Sequence, residues 1–214
     1  MKLIEFVNAK WCEGQRSWSY GIVSGEVAAC EVASGFPAHL MSEKLLMANS
    51  LMQGQIKIKG SDLAGFSDEE RHILFSQIGW LLQEPLLIST LSLEDNLWLP
   101  LLAHARLDSS HWKSRVEEMI QKIHLTSSLS VRPHLATGRD RMMISVLRAF
   151  VHEPAVIFSF VDFYSLENRD VEILLDMLMN FSKLKNKSVI IFQYGERVHH
   201  ALVNIQRGPG IVCS

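Results

Sequence analysis

The sequence contains no long apolar run. No stretch approaches the roughly 18 consecutive apolar residues that a membrane-spanning helix needs. The first segment, MKLIEFVNAKWCEG, carries Glu5 inside its only apolar run, which is too short for a signal peptide. These absences predict neither a membrane span nor a secretory leader, and we therefore expect a cytoplasmic protein.

Cysteine is scarce and histidine is scattered. The three cysteines, Cys12, Cys30 and Cys213, have neither the even number of a disulfide framework nor the spacing of metal ligands. Among the nine histidines only His199 and His200 are close together, and neighbouring residues of a helix point in different directions. We therefore expect no disulfide framework and no metal site.

Neither sign of charge dominates. The chain has 21 Lys and Arg residues against 23 Asp and Glu residues, and the two signs are interspersed. A nucleic-acid-binding stripe or a polybasic membrane anchor would need concentrated positive charge. We expect no nucleic-acid partner, and the hydrophobic content of 48% is that of an ordinary globular protein.

Short apolar segments alternate with helical patterns along the chain. Four runs have the length and the bounded ends of buried strands, at residues 27–32, 78–82, 155–161 and 188–193. Apolar residues recur at helical spacing over residues 40–52, 111–124, 141–151 and 167–184. Such alternation predicts an α/β fold with a mostly parallel sheet.

One long stretch, from about residue 84 to 135, has helical patterns and no strand pattern. This indicates a lobe inserted between two strands of the core. We predict a single domain over residues 1–214, with a core of residues 1–83 and 153–214 and an α-helical lobe of residues 84–152.

Six short sequence segments occur at characteristic places along the chain: GEV at 25–27, GQI at 54–56, IGWLLQ at 78–83, LEDNLWLPL at 93–101, RAFVHEPAVIF at 148–158 and LE at 166–167. In this order and at this spacing they resemble the motifs of the ABC-transporter ATP-binding subunits, or nucleotide-binding domains. The resemblance implies a P-loop NTPase-like fold, in which helices flank a mostly parallel sheet and a helical lobe is inserted. Within the family, the NLWLPL segment resembles Mla-type lipid-transport and Lol-type lipoprotein-release ATPases.

The family's phosphate loop is largely replaced. Such a loop needs glycines that expose backbone N–H groups, a lysine, and a hydroxyl for Mg²⁺. The matching segment is VASGFPAHL at 32–40, where only Gly35 agrees with the family. Ala38 stands at the lysine position and His39 at the hydroxyl position, while Pro37 removes an N–H donor.

These replacements weaken phosphate binding. Glu31 adds a negative charge at the end of the strand that leads into the loop. Hydrogen bonds to charged groups contribute roughly 1.5–3 kcal/mol each. Loss of the lysine and of one or two amides therefore lowers the affinity for phosphate by about a thousandfold or more. We expect no micromolar ATP affinity through this loop, and hence no bound cofactor.

The catalytic positions are replaced as well. Phe160 and Val161 stand where the resemblance places the Mg²⁺-binding Asp and the catalytic Glu, and Asp162 follows them. Tyr194 stands at the switch-histidine position. Loss of one such group costs about 10²–10⁴ in rate. The replacements predict that the chain is not an enzyme, with no catalytic residue and no metal ligand.

The signature motif and the Q-loop retain some family residues. The signature falls on residues 137–140, where Thr137 and Gly138 keep a hydroxyl and a backbone N–H for the γ-phosphate of a partner's ATP. Arg139 replaces a glycine, and Asp140 adds negative charge. Gln83 matches the Q-loop glutamine, which in the family links nucleotide state to the lobe, or it caps a turn.

A set of large apolar residues follows the Q-loop strand. Two interpretations stay open: a hydrophobic dock for a permease helix, or the core of the lobe. The residues are Trp80, Leu86, Leu87 and Trp98.

Three functions are compatible with this pattern. The leading hypothesis is a catalytically inactive pseudo-ATPase, a structural or regulatory component of a membrane transport complex. Its partners would be an integral-membrane permease, another ABC ATPase subunit in a homo- or heterodimer, or both, at the inner face of the cell membrane. A second hypothesis is a sensor that binds ATP or ADP without hydrolysis. A third is an unrelated enzyme that uses Glu31, His39 and Asp162 in the same cleft.

Overall fold

The computed structural model describes residues 2–10, 17–32, 53–102, 109–184, 186–194, 202 and 206–207. The strands in these ranges are β1 (Lys2–Lys10), β2 (Trp18–Val23), β3 (Val27–Val32), β4 (Gln53–Ile58), β5 (Ser61–Asp62), β6 (Ile78–Leu81), β7 (Val156–Ser159), β8 (Ser188–Tyr194) and β9 (Gln206–Arg207). The helices are α1 (Asp68–Phe75), α2 (Leu93–Leu102), α3 (Ser109–Ile123), α4 (Gly138–Val151) and α5 (Asn168–Ser182). The predicted helix over residues 40–52 lies outside the described residues.

A parallel five-stranded sheet forms the centre of the fold, in the order β6-β7-β8-β3-β9. Its registers align Ile157 with Gly79 on one side and with Val189 on the other. The strands are apolar along their length because both faces of the sheet are covered. Their positions confirm the predicted α/β class with a mostly parallel sheet.

A second, antiparallel sheet covers one face of the first, in the order β2-β1-β4-β5. Its inward side chains Ile4, Phe6 and Ile56 share a core with Phe158 and Phe192 of the parallel sheet. This sheet was not predicted from the sequence. Irregular pairing in β1 interrupts the alternation of apolar and polar residues, which is the signal of a half-buried strand.

Helices cover the other face of the parallel sheet. Leu147 of α4 and Leu174 of α5 are fully buried in a core that includes Ile157 and Ile191. Gly79 of β6 allows α4 to pack closely, because a Cβ at this position would overlap the carbonyl oxygen of Ala149. The C-terminal end of α4 therefore lies directly against β6.

The chain between β6 and β7 contains α2, α3 and α4 and, in its described part, no strand. The buried Asn96 holds the segment that precedes α2. Its Oδ1 accepts from the N–H of Ile88 at 2.7 Å, and its Nδ2 donates to the carbonyl of Ser92 at 2.8 Å. These helices lie within residues 84–152, and the division into core and lobe stays a prediction. No helix within the described ranges has the length and apolarity to cross a bilayer.

Candidate functional site

The carboxyl ends of β6 and β7 bring several of the predicted site residues together. In open parallel sheets, ligands bind at this edge. Gln83 follows β6, and Phe160, Val161 and Asp162 follow β7. Glu31 lies in β3, where its backbone pairs with that of Gln193. The predicted phosphate-loop positions lie outside the described residues: Gly35, Pro37, Ala38 and His39.

Gln83 joins the loop after β6 to the loop after β7. Its Oε1 accepts from the backbone N–H of Asp162 at 2.5 Å, and its Nε2 donates to the hydroxyl of Ser165 at 3.1 Å. The Ser165 hydroxyl in turn donates to the carbonyl of Asp162 at 2.7 Å. Gln83 therefore contacts a distant loop instead of capping its own turn. A role in relaying nucleotide state stays a prediction.

The two positions after β7 are apolar and closed to solvent. Phe160 and Val161 are both fully buried. Phe160 stacks on Phe192, with ring centroids 4.8 Å apart and an interplanar angle of 4°. Trp80 stacks on Phe158 at 5.2 Å on the same side. Phe160, at the position where the resemblance predicts an Mg²⁺-binding Asp, is therefore part of an aromatic stack.

Asp162 has a local structural role. It lies beyond the end of β7 and is the N-cap of a short 3-10 helix, Phe163–Ser165. Its Oδ1 accepts from the backbone N–H of Tyr164 at 3.0 Å. Whether Asp162 meets His39, as the hypothesis of an unrelated enzyme requires, lies outside the described residues. Across the part of the chain that the structure describes, no group of three His, Cys, Asp or Glu side chains is arranged to hold a metal ion.

Two buried polar residues were missed by the sequence analysis. Ser159 pairs with Ile191 across β7 and β8, and Gln193 lies two residues beyond Ile191, so both face the helices. Within the described ranges, Ser159 Oγ and Gln193 Nε2 have no hydrogen-bond partner. Buried polar atoms are nearly always hydrogen-bonded, so these two unpaired atoms need an explanation. The available signal was a polar residue within each apolar strand.

The predicted signature residues, 137–140, lie at the start of α4. Thr137 is the N-cap, and its hydroxyl oxygen accepts from the N–H of Asp140 at 3.0 Å. The Asp140 carboxylate points inward and is fully buried. It accepts from the Thr126 hydroxyl and from the Ser127 N–H, both at 2.7 Å. The resemblance predicts this negative charge beside a partner's phosphate, whereas the structure encloses the carboxylate.

The hydrogen bonds to Asp140 keep it ionised. Burial raises the pKa of the carboxyl group, but the hydrogen bonds from Ser127 and Thr126 outweigh burial and lower the pKa to about 2. Asp140 thereby holds the loop that follows α3 against the start of α4.

Arg139 also turns inward. Its Nη2 lies 2.7 Å from Asp170 Oδ1, and its Nε lies 3.0 Å from each Asp170 oxygen. Its Nη1 and Nη2 donate to the carbonyls of His124 and Ile123 at 3.2 and 3.1 Å. One side chain therefore joins the start of α4, the end of α3 and the start of α5.

An open groove lies between α1, β6 and the C-terminal ends of α2 and α4. Its volume is about 480 Å³. We call it the lobe groove and define it by its lining residues, His72, Ile73, Phe75, Ser76, Ile78, Trp80, Pro100, Arg148, Ala149 and His152.

Of the four apolar residues with two open interpretations, Trp80 lines the lobe groove and Leu86 is 62% exposed. Leu87 and Trp98 are partly buried against the helical cores. The set is therefore divided between surface and core.

Comparison with known proteins identifies relatives, although no family model matches the chain. The ABC transporter ATP-binding protein YtrE of Bacillus subtilis is 23% identical over 181 residues, which are 84% of this chain and 78% of YtrE. The putative hemin import ATP-binding protein HrtA of Staphylococcus haemolyticus is 23% identical over 197 residues, 89% of this chain and 87% of HrtA. The lipoprotein-releasing system ATP-binding protein LolD of Coxiella burnetii is 22% identical over 173 residues, 80% of this chain and 74% of LolD.

Solved structures agree with these relatives. The dimeric structure of MJ0796, a bacterial ABC transporter cassette, has a TM-score of 0.74 at 19% identity and covers 89% of this chain and 87% of that chain. A dimeric post-hydrolysis state of MJ0796 bound to ADP and Pi has a TM-score of 0.71 at 18% identity, with the same coverage. The resemblance to ABC-transporter ATP-binding subunits is confirmed, and so is the P-loop NTPase-like fold. The Lol-type likeness has a counterpart in LolD, while the Mla-type likeness stays a prediction.

One prediction is wrong on these comparisons, namely that the chain is not an enzyme. The relatives are named ATP-binding proteins of ABC transporters, and the structurally similar MJ0796 has a post-hydrolysis state. The chain is therefore similar to ATPases. Replaced motif residues do not by themselves establish the absence of an activity, because residues elsewhere in the fold and in a partner also contribute to such a site.

Proposed function

We propose that this chain, whose fold is that of the ABC ATPase cassettes, is a structural or regulatory ATP-binding-cassette subunit of a membrane transport complex. The lobe groove would receive an element of an integral-membrane permease. The observation that carries this proposal is the apolar surface around the groove. Ile73 lines the groove and is 53% exposed, and Leu102, which is 72% exposed, lies two residues after the groove residue Pro100.

Contiguous apolar patches on a surface mark contacts with other proteins, and Ile73, Phe75 and Trp80 lie together in this groove. Leu86 and Ile88, in the loop between β6 and α2, are 62% and 46% exposed. That loop follows directly from Gln83, which bonds the loop after β7. A partner that also reached this loop would touch the segment that follows the Gln83 contact between the two strand ends.

The names of the relatives support a transport role, since they include hemin import, bacitracin export and lipoprotein release. Pairing with a second cassette is supported by the dimeric form of MJ0796. Assembly into a transport complex is supported by CbiO1, which is a part of the ABC transporter complex CbiONQ. The second copy would be the same chain or a related one. Through the permease, the chain would lie on the inner face of the cell membrane.

Site-specific crosslinking tests this proposal. A variant with Ile73→Cys, in which Cys12 and Cys213 are replaced by Ser, would be labelled with maleimide–benzophenone and irradiated in membranes of the source cells, so that the benzophenone inserts into a C–H bond of any neighbouring protein. We expect an adduct that resists carbonate extraction, as an integral-membrane partner does. The matched variant Glu172→Cys, at an exposed position of α5, should give no such adduct. Equal labelling from both positions, or an Ile73→Cys protein that stays monomeric, would contradict the proposal.

A further inference from the structure

The backbone pairing of β7 with β8 ends inside the protein. Its last pair places Ser159 of β7 opposite Ile191 of β8. β8 continues beyond this pair along β3, while the backbone N–H of Phe160 donates to the carbonyl of Leu81 in β6 at 2.7 Å. We call the place where the β7–β8 pairing stops the ladder end, and we define it by Ser159, Ile191 and Gln193.

Two polar side chains share one face of the sheet at the ladder end. Ser159 is 0% exposed and Gln193 is 2% exposed. Gln193 lies two residues beyond Ile191, the pairing partner of Ser159, so that both side chains lie on the side of the helices. Ser159 Oγ and Gln193 Nε2 are closed to solvent, and neither has a hydrogen-bond partner among the residues that the structure describes. One shared partner would satisfy both atoms.

The surroundings of the ladder end restrict what this partner is. Leu81, Val161 and Ile191 belong to the core on the side of the helices and are almost completely buried. A charged ligand in such surroundings is unfavourable without an opposite charge, and the residues of the ladder end are uncharged. The Nε2 of Gln193 donates hydrogen bonds and has no lone pair for a metal ion, whereas the Ser159 hydroxyl both donates and accepts. The chemistry therefore favours a small neutral group that accepts from Nε2.

We propose that the ladder end is the binding site of one buried water molecule, which accepts a hydrogen bond from Gln193 Nε2 and shares a second with Ser159 Oγ. Strands lie roughly 4.8 Å apart and rise about 3.3 Å per residue, so the two Cα atoms are about 8 Å apart. The long Gln side chain and one water span this distance. Buried waters make about two to four hydrogen bonds, which these two groups begin to supply. The water connects β7 to β8 beyond their last backbone pair.

A high-resolution crystal structure of the full chain tests for the water directly. We expect an ordered water oxygen within about 2.7–3.2 Å of both Ser159 Oγ and Gln193 Nε2. In the double variant Ser159→Ala/Gln193→Met, which retains side chains of similar size, this water should be lost. A direct hydrogen bond between Ser159 and the Gln193 amide would overturn the inference. Another part of the chain in the position of the water would also overturn it.

Urea unfolding in solution measures whether the two side chains act as a unit. Ser159→Ala and Gln193→Met each remove one partner of the water and leave the other polar group buried. Each should therefore raise the equilibrium constant for unfolding about fivefold to a hundredfold. The double variant leaves neither group unsatisfied, so its constant should be at least about fivefold below the product of the two single effects. Single effects that multiply would overturn the shared site.

Ser182 provides the matched control. It is 8% exposed, and its hydroxyl already donates to the carbonyl of Met179 at 2.8 Å. The effects of Ser182→Ala and Gln193→Met should therefore multiply. Equal coupling of Gln193 to Ser182 and to Ser159 would reflect a general loosening of the core and contradict a shared water. None of these outcomes depends on the proposed function, because the ladder end lies inside the chain.

Discussion

Arg139 and Asp170 form a bidentate ion pair between the first turn of α4 and the first turn of α5, with a shortest N–O distance of 2.7 Å. Asp170 is only 5% exposed, and Arg139 is 27% exposed. The pair joins a helix of the predicted lobe to a helix of the core. A glycine at position 139, as in the family's signature, has no side chain to make this connection.

We expect the Arg139–Asp170 pair to contribute to stability as a coupled unit. Removing one partner of a buried pair leaves a charge without compensation and costs about 3–5 kcal/mol. Because Arg139 is partly exposed, we expect about 2 kcal/mol from Arg139→Met or from Asp170→Asn. Urea unfolding of both single variants and the double variant should give a coupling energy of at least about 1 kcal/mol. Additive effects would show that the pair contributes little to holding the two helices together.

The buried carboxylate of Asp140 should make stability depend on pH. Its pKa is about 2 in the folded protein, against an ordinary value of 3.8. Because the folded pKa is the lower one, the stabilisation is fully present above a pH of about 4 and is lost as the pH falls through about 2. The difference corresponds to about 2 kcal/mol.

Urea unfolding at several pH values tests this prediction. The free-energy difference between wild type and Asp140→Asn should shrink as the pH is lowered from about 4 to about 2. Asp176→Asn, at an exposed position of α5, is the control and should show a small difference at every pH. If the difference in free energy of unfolding between wild type and Asp140→Asn stayed constant over this pH range, the ionised carboxylate would not stabilise the fold.

Gly79 should tolerate no side chain. The Cβ of Gly79→Ala would overlap the carbonyl oxygen of Ala149 and lie 3.0 Å from Ile157 Cγ1. Overpacking of a core typically costs 1–3 kcal/mol, and we expect a loss of about 3 kcal/mol because the overlapping atom belongs to the backbone. Gly65→Ala is the control, since its Cβ would have no atom within 4 Å. Similar thermal midpoints of the two variants would contradict the close packing of α4 on β6.

Gln83 should restrain the loop after β7. Gln83→Ala removes two hydrogen bonds, at about 1 kcal/mol each, and leaves the Asp162 N–H without its acceptor. We expect faster amide hydrogen exchange over residues 160–166, with little change in α5. Gln121→Ala, at an exposed position of α3, should leave the exchange of this loop as it is in the wild type. If exchange in this loop were also unchanged in Gln83→Ala, Gln83 would not restrain the loop.

ATP affinity is predicted from the sequence of residues 32–40 alone. Because Ala38 and Pro37 supply neither the lysine charge nor an N–H donor, we expect no saturable heat of binding at micromolar concentrations of Mg·ATP. Calorimetric titration to millimolar ligand measures this directly. Saturation in the micromolar range would show that other groups hold the nucleotide, and would favour a nucleotide-binding function.

Much of the parallel sheet and its helices was predictable from the sequence. The strand patterns at 27–32 and 188–193 agree with β3 and β8 to within one residue, because a strand buried on both faces is a continuous apolar run with clear ends. The antiparallel sheet was not predictable in this way, because its strands are half-buried and irregularly paired. Asp140 was identified by its place in the signature, but its buried environment was not.

The sequence by itself determined the order of the buried parallel strands, the helices with a clear apolar face and the resemblance to the family motifs, because these properties are carried by neighbours along the chain. Only the tertiary structure decided which side chains meet. Asp170 lies 31 residues from Arg139, and Ser165 lies 82 residues from Gln83. Such contacts depend on how α4 and the loops pack on the sheet, and no local pattern of residues encodes that geometry.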